Sequence, residues 1–416
     1  MNLNPLLDSG EEITFESLKL DARILKGIHE MGFIRPTPIQ AQAIPHIISG
    51  RDLIGSAQTG TGKTAAFVLP IMHRLMQSKS SRNVRALIVS PTREIAAQSN
   101  EHFTALSRHV HLAGAAIYGG VPMQPQIRAL SHGLDVISAT PGRLLDHIWS
   151  ARINFQDLQI LVLDEVDRML DMGFLPEIRK IINLLPVKRQ TLVFSATMPQ
   201  EILKLVHEIT NDPLSVQVGQ RSSVAVGIRH ALYPVPKHLK SALLEELLRG
   251  KDMTSTIVFT RTKRLADKLT LKLKRQNFKV SVLHGDRSQS QRVQALENFR
   301  NGYSQVLVAT DIAARGIDIE DISHVINYDI PTTPEDYVHR IGRTGRVDAK
   351  GDAFSLMDPS EQRLVKDIER TIKHTLPLVT LPNFDYKKPA PPKGAHSFSP
   401  SGNRNPHSNP HSRYRR

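Results

Sequence analysis

Short apolar runs, each closed by polar or glycine-containing turns, alternate with stretches of helical period along most of this chain. In the first half the runs are Asp52–Ala57, Ala86–Ser90, Asp135–Ser138, Ile160–Leu163 and Thr191–Phe194. They are too short for helices and apolar on both faces, which predicts strands of a parallel sheet covered on both sides. Thr64–Met76 and Pro176–Leu185 read as helices between them. The second half repeats the scheme, with Thr256–Thr260, Lys279–Leu283, Gln305–Ala309, His324–Tyr328 and Ala353–Met357 as strands. There Lys263–Gln276 spaces Leu265, Leu269 and Leu273 along one helical face with lysines opposite. Ser288 is placed to cap the next helix, whose Val293, Leu296 and Phe299 are expected to turn inward. The alternation predicts an α/β fold of two tandem doubly wound parallel-sheet domains.

Punctuation divides the chain. Between 211 and 236 helical period vanishes and Pro, Gly and Ser accumulate. A short linker is expected at 216–228, between a first domain (1–215) and a second (229–376). Residues 377–416 are expected to form a basic disordered tail, because beyond about Lys387 almost no apolar residue remains to offset ordering entropy. At 416 residues, 40% apolar and 23% charged, the remainder is ample for two cores. Cysteine is absent, which excludes disulfides, thiolate metal sites and cysteine nucleophiles. Neither a secretory leader nor an apolar run long enough to span a membrane is visible, so a cytoplasmic location is expected. The net charge of +14 favours a polyanionic partner such as nucleic acid. Part of that charge is concentrated in Lys387, Lys388, Lys393, Arg404, Arg413, Arg415 and Arg416, beyond the last acidic residue, Asp385.

Two segments carry phosphate chemistry. Ala57, Gln58, Thr59, Gly60, Thr61, Gly62, Lys63 and Thr64 follow the first strand and open a helix. The glycines let backbone N–H groups approach phosphate oxygens. Lys63 supplies a compact positive charge, and the Thr64 hydroxyl suits Mg²⁺. Ala57 stands where the general pattern has glycine, so the flanking strand and helix carry part of the assignment. In ILVLDEVD an apolar strand ends in Asp164, placed to hold Mg²⁺ through water, and Glu165, placed to orient or deprotonate an attacking water.

With these motifs in place, the chain resembles the DEAD-box ATP-dependent RNA helicases of superfamily 2 from about Phe15 to Arg346, and among them the bacterial RhlE type. The resemblance implies two RecA-like domains, ATP and Mg²⁺ as ligands, and RNA as partner. GFIRPTPIQ resembles the family's Q motif, which implies that Gln40 reads the adenine edge and Phe15 stacks on the base. The plainer alternative for Gln40 is an amide that caps a helix. PTREIAAQ, the Gly119–Gly120 pair and TPGR imply RNA backbone contacts from Pro91, Thr92, Arg93, Gly120, Thr140, Pro141, Gly142 and Arg143. FTRT, HGDRSQSQR and ATDIAARGID extend them to Arg261, Gly285 and Thr310, with Asp318 near the ribose. Asp167, Ser195, Thr197 and His339 are the residues implied to couple hydrolysis to strand opening. In HRIGRTGR the arginines recur every third residue and are expected along one side of a helix, with Arg343 and Arg346 reaching the γ-phosphate. Aromatic residues make up only 5% of the chain and none punctuates the RNA motifs, which favours backbone recognition over base stacking.

The departures from the family pattern are small: Val166 stands where the family name has alanine, and Ile95 replaces a usual leucine. His102, His109 and His111 lack the acids or cysteines that would complete a metal site. Trp149 is expected to pack against its domain, and Met169, Met172 and Met198 to fill core. The function expected is RNA-dependent ATP hydrolysis that unwinds short duplexes or remodels RNA–protein complexes by domain closure. An ATP-gated RNA clamp without unwinding and a DNA-directed translocase are the alternatives. The tail reads as an electrostatic tether for RNA, or else as a solubilising extension.

Overall fold

The computed structural model describes residues 13–57, 61–218, 228–250, 252–314, 322–344 and 351–390. In chain order the strands of the first lobe are β1 (Leu53–Ser56), β2 (Ala86–Val89), β3 (Gly114–Ile117), β4 (Val136–Ala139), β5 (Ile160–Asp164), β6 (Gln190–Ser195) and β7 (Leu214–Gln217). Those of the second are β8 (Ile228–Pro234), β9 (Thr256–Phe259), β10 (Val280–Leu283), β11 (Val306–Ala309), β12 (His324–Asn327) and β13 (Gly351–Met357). They form two sheets, ordered β3-β4-β2-β5-β6-β1-β7 and β10-β11-β9-β12-β13-β8. Every pairing among the described residues is parallel.

Strand periodicity places each sheet between two cores. Along β5 and β6, Ile160, Val162, Leu192 and Phe194 join one cluster, while Leu161, Leu163 and Val193 join the other. The second lobe does the same: Val258, Val306 and Val308 face one side, and Ile257, Phe259 and Leu307 the other. Each such side chain contributes roughly 1.5–3 kcal/mol through burial. The helix Lys263–Arg275 buries Leu269 and Leu273 as the spacing predicts. Ser288 caps Gln289–Arg300 by accepting from Gln291 N–H at 3.3 Å.

Several expectations change. β3, β7 and β8 were not foreseen; they are half-exposed sheet edges, β3 built mostly of Gly and Ala and the other two interrupted by polar residues. The expected linker of 216–228 shortens at both ends, because Gln217 belongs to β7 and Ile228 opens β8; residues 219–227 lie outside the described ones. The tail does not begin at 377, since Val379, Leu381, Phe384 and Tyr386 pack on the second lobe. Val293 is 43% exposed rather than turned inward, and Trp149 is 65% exposed rather than packed. Met169 is core, as expected.

Parallel strands deliver their following loops to one rim, the carboxyl ends, and the sites of such sheets form there. In the first lobe that rim carries Ala57, Thr92, Gly120, Thr140, Asp164 and Ser195. In the second it carries Arg261, Gly285 and Thr310.

Candidate functional site

The phosphate loop leaves β1 and enters the helix Lys63–Gln77; Gln58, Thr59 and Gly60 lie outside the described residues. Gly62 sits at φ 88°, where a side chain is strained, and a Cβ there would come within 2.4 Å of Gln40 Nε2. Lys63 begins the helix, with only 7% of its surface exposed. Its Nζ is buried and has no hydrogen-bond partner among the described residues. An ammonium in that state is costly unless an anion meets it. The helix N-terminus, which also carries the half-buried Thr64, favours the same sign of ligand.

Gln40 takes up the role weighed as its alternative. Its Oε1 accepts from Thr37 N–H at 2.9 Å, capping the helix Pro38–Ile48, and its Nε2 donates to the Gly62 carbonyl at 3.1 Å. Adenine recognition is left the second Nε2 hydrogen and the remaining lone pair of Oε1. The expected stacking of Phe15 on a base is corrected. Its ring is 1% exposed, part of the core, and lies 6.4 Å from the ring of Phe33 at an interplanar angle of 23°. The half-buried Phe33 keeps a solvent-facing portion, and it escaped the sequence reading.

β5 delivers Asp164, and the chain then turns through a left-handed residue, Glu165 (φ 52°, ψ 54°), into the helix Val166–Asp171. A non-glycine residue held there costs about 1–2 kcal/mol, a strain typical of functional turns. Burial pushes the Asp164 carboxyl up to about 7, against the opposing charge of Lys63, and its Oδ1 has no hydrogen-bond partner among the described residues. A buried carboxylate oxygen in that condition suits a hydrated divalent cation. For Glu165 burial works in the same direction, but the charges of Arg168, Lys63 and Arg343 outweigh it and hold the carboxyl below its usual range. Glu165 and Arg168 form an ion pair at 3.2 Å.

Asp167 joins this turn to the end of β6. Its Oδ2 accepts from Ala196 N–H at 3.1 Å, Thr197 N–H at 2.8 Å and the Thr197 hydroxyl at 3.1 Å. In return Asp167 N–H donates to Ser195 Oγ at 3.2 Å, and that hydroxyl donates to the Thr197 carbonyl at 2.7 Å. Asp167, Ser195 and Thr197 are thus one network.

The second lobe contributes Arg343, 4% exposed and near enough to bear on Glu165. The arginines do not share a helical side, because Pro334–Ile341 ends before Arg343. Arg340 is structural: it forks onto Asp311 at 2.6 and 2.8 Å, donates to Asn327 Oδ1 at 3.0 Å, and lies 5.1 Å from the Phe259 ring centroid. His339 lines a small cleft with Phe259, Ala314, Arg340 and Arg343. Arg346 and Asp318 lie outside the described residues. A further contact between the lobes went unnoticed in the sequence. Glu94 pairs with Arg292 at 3.0 Å, both side chains nearly enclosed, and accepts from Gln289 Nε2 at 3.3 Å.

The proposed RNA residues of the first lobe gather around helix starts. Thr92, preceded by the buried Pro91, caps Arg93–Leu106, and Thr140 and Pro141 begin Pro141–Trp149, with Gly142 exposed. Gly120, at φ 79°, has the Arg93 guanidinium where a Cβ would be. Arg143 donates to the Val121 carbonyl at 3.2 and 3.3 Å, bracing the loop beside Gly120. In the second lobe Arg261 is held by the Ile330 carbonyl at 3.1 Å and Glu361 at 3.3 Å, Gly285 is exposed beside the Lys263 stem, and Thr310 N–H donates to the Leu283 carbonyl at 3.2 Å. No helix among the described residues is long and apolar enough to cross a membrane, and no group of three or more potential metal ligands occurs among them.

Residues 37–205 match the family described as DEAD/DEAH box helicase, and residues 239–348 match the helicase conserved C-terminal domain. The ATP-dependent RNA helicase CshA of Listeria monocytogenes is 42% identical over 371 residues, covering 89% of this chain and 71% of that protein. The RNA helicase CrhR of Synechocystis is 43% identical over 371 residues, covering 89% and 75%. Among solved structures, S. cerevisiae Dbp5 bound to RNA and ADP BeF3 superposes with a TM-score of 0.80 at 33% identity, over 88% of this chain and 95% of that one.

Proposed function

The chain belongs to the DEAD/DEAH box helicases, and from that premise we propose that it is an RNA-dependent ATPase that opens short RNA duplexes, or remodels RNA–protein complexes, by closing two lobes over ATP. The observation that carries this reading is that the lobes meet, Glu94 of the first pairing with Arg292 of the second at 3.0 Å, with the charge of Arg343 of the second lobe bearing on Glu165 of the first, so the set proposed for catalysis is divided between two lobes. Lys63 binds the β- and γ-phosphates, where its Nζ finds the anion it lacks. The Thr64 hydroxyl and the Asp164 carboxylate would hold Mg²⁺, which would supply positive charge to the phosphate oxygens. Glu165, kept ionised, accepts a hydrogen bond from the attacking water and aligns it. Arg343, with Arg346, neutralises charge developing on the γ-phosphate; such an arginine contributes about 10³–10⁵ in rate.

RNA residues occupy the rims of both lobes, so RNA and ATP favour the same closed state and strengthen each other's binding. A strand held through its backbone along both rims leaves its pairing partner unaccommodated, and the duplex opens. Asp167 links the hydrolytic turn to Ser195 and Thr197, so a change at Glu165 reaches the end of β6 directly. We place this work in the cytoplasm, which cell fractionation tests. The central experiment is ATP turnover with and without single-stranded RNA, duplex RNA and DNA, alongside displacement of a short blunt RNA duplex. RNA-stimulated turnover with displacement is expected, and turnover indifferent to RNA refutes the reading. Glu165→Gln should retain RNA in the presence of ATP, and failure to do so removes its water-aligning role.

A further inference from the structure

None of the motifs uses the last described stretch of the second lobe. Beyond the helix Gln362–Ile372, residues 377–390 run as a strap along β8, the edge of the second sheet. Leu232 N–H donates to the Pro377 carbonyl at 2.8 Å, and Val379 N–H donates to the Leu232 carbonyl at 2.9 Å. Val379, Leu381, Phe384 and Tyr386 then pack against the lobe, the last two edge-to-face with ring centroids 4.8 Å apart. The bridge to β8 is parallel, so the strap travels toward the rim that carries Arg261, Gly285 and Thr310. It arrives at the turn Lys237–Leu239, just after β8, where His238 Nε2 donates to the Lys388 carbonyl at 2.8 Å.

Cations collect at that point: Lys237 from the turn, and Lys387 and Lys388 from the strap, are all exposed. The strap's only acid, Asp385, turns its Oδ1 to the Lys387 N–H at 3.0 Å. The patch shares the carboxyl-end rim with the proposed RNA residue Arg261, and the two are joined through a pair of buried acids: Arg261 pairs with Glu361 at 3.3 Å, and Glu361 accepts from Asp358 N–H at 3.0 Å, one residue beyond β13, the strand beside β8.

We propose that Lys237, Lys387 and Lys388 form a second phosphate-contacting surface for the RNA strand flanking the one held at Arg261, with the strap, tied to the turn through His238, holding half of that surface in place. This rests on the RNA reading above. It makes the strap's apolar anchors, and not charge alone, necessary for binding longer RNA.

The test uses the full-length chain and two labelled single-stranded RNAs, one long enough only for the two-lobe clamp and one extended by a flank. Reversal of the exposed lysines (Lys237→Glu, Lys387→Glu, Lys388→Glu) should leave the short RNA unaffected. On the long RNA it should flatten the dependence of log affinity on log salt by about two, at roughly 0.7 for each lost phosphate contact. Phe384→Ala with Tyr386→Ala should reproduce that loss with the lysines intact, thermal melting showing that the lobe remains folded; if it does not fold, the lysine reversal decides alone. Replacing Lys393, Arg404, Arg413, Arg415 and Arg416 by Gln should leave a length dependence that the lysines still control. An unchanged slope on long RNA in the lysine variant, or a length dependence abolished by the five distal replacements alone, overturns the proposal. Failure of the unaltered chain to bind either RNA instead refutes the proposed function.

Discussion

The Glu94–Arg292 pair joins the two lobes, and its removal should weaken closure without harming either lobe. At 3.0 Å and an effective dielectric of about 20 the gross attraction is about 5.5 kcal/mol, much of it offset by desolvation. The net share is set by the difference between closed and open states. When the lobes part, both groups regain water, so Glu94→Gln penalises only the closed form, where the Arg292 charge stays enclosed. A coupling of about 1–3 kcal/mol corresponds to a 5- to 150-fold loss in the gain that nucleotide gives to RNA affinity. The measurement is RNA affinity by fluorescence anisotropy, with and without a non-hydrolysable ATP analogue, for wild type, Glu94→Gln, Arg292→Gln and the double variant. Nucleotide-free affinity should remain close to wild type, and the double variant should cost less than the sum of the singles. If nucleotide still tightens RNA binding by the wild-type factor in Glu94→Gln, the pair does not hold the lobes together and the reasoning fails.

Other outcomes are open to direct measurement. Lys63→Ala should lower ATP turnover by at least about 10²–10³-fold, as loss of a buried charge stabiliser does, while far-UV circular dichroism and melting temperature stay close to wild type; unimpaired turnover would contradict the site. Asp167→Asn should separate activities, because it weakens the acceptor of three donors from Ala196 and Thr197: duplex displacement should fall several-fold more than RNA-stimulated ATPase. Burial, aided by His374, depresses His230 to about 4, and its Nδ1 lies 2.9 Å from the Tyr337 hydroxyl. The unfolded chain therefore takes up this proton first, so second-lobe stability should decline as pH falls from about 6.5 through about 4. His230→Gln should flatten that decline, and identical acid-melting profiles would rule out His230 as its source.

Legibility in the sequence followed burial. Ile160–Leu163 and Thr191–Phe194 announced themselves because both faces of those strands are enclosed, which forces unbroken apolar runs. Gly114–Ile117 and Leu214–Gln217 did not, because half-exposed edges admit small and polar residues. The phosphate loop and the carboxylates after β5 were readable because their chemistry is local, complete within a few consecutive residues. Spacing could not tell Arg340 from Arg343: one is consumed by Asp311 and Asn327, the charge of the other bears on Glu165, and only the end of the helix at Ile341 separates them. Glu94 and Arg292 were invisible as a pair for a related reason. They lie far apart in the chain and meet only because two lobes do.

The amide of Gln40 is committed at both ends, to the start of one helix through Thr37 and to the phosphate loop through Gly62. On the adenine role proposed for Gln40, a purine takes the second Nε2 hydrogen and the free lone pair of Oε1, and so joins the bonds that tie the helix start to the loop. A base with the opposite order of donor and acceptor leaves that link as it was, however well its phosphates fit. Choice of nucleotide is then felt at Gly62 as well as in the strength of binding.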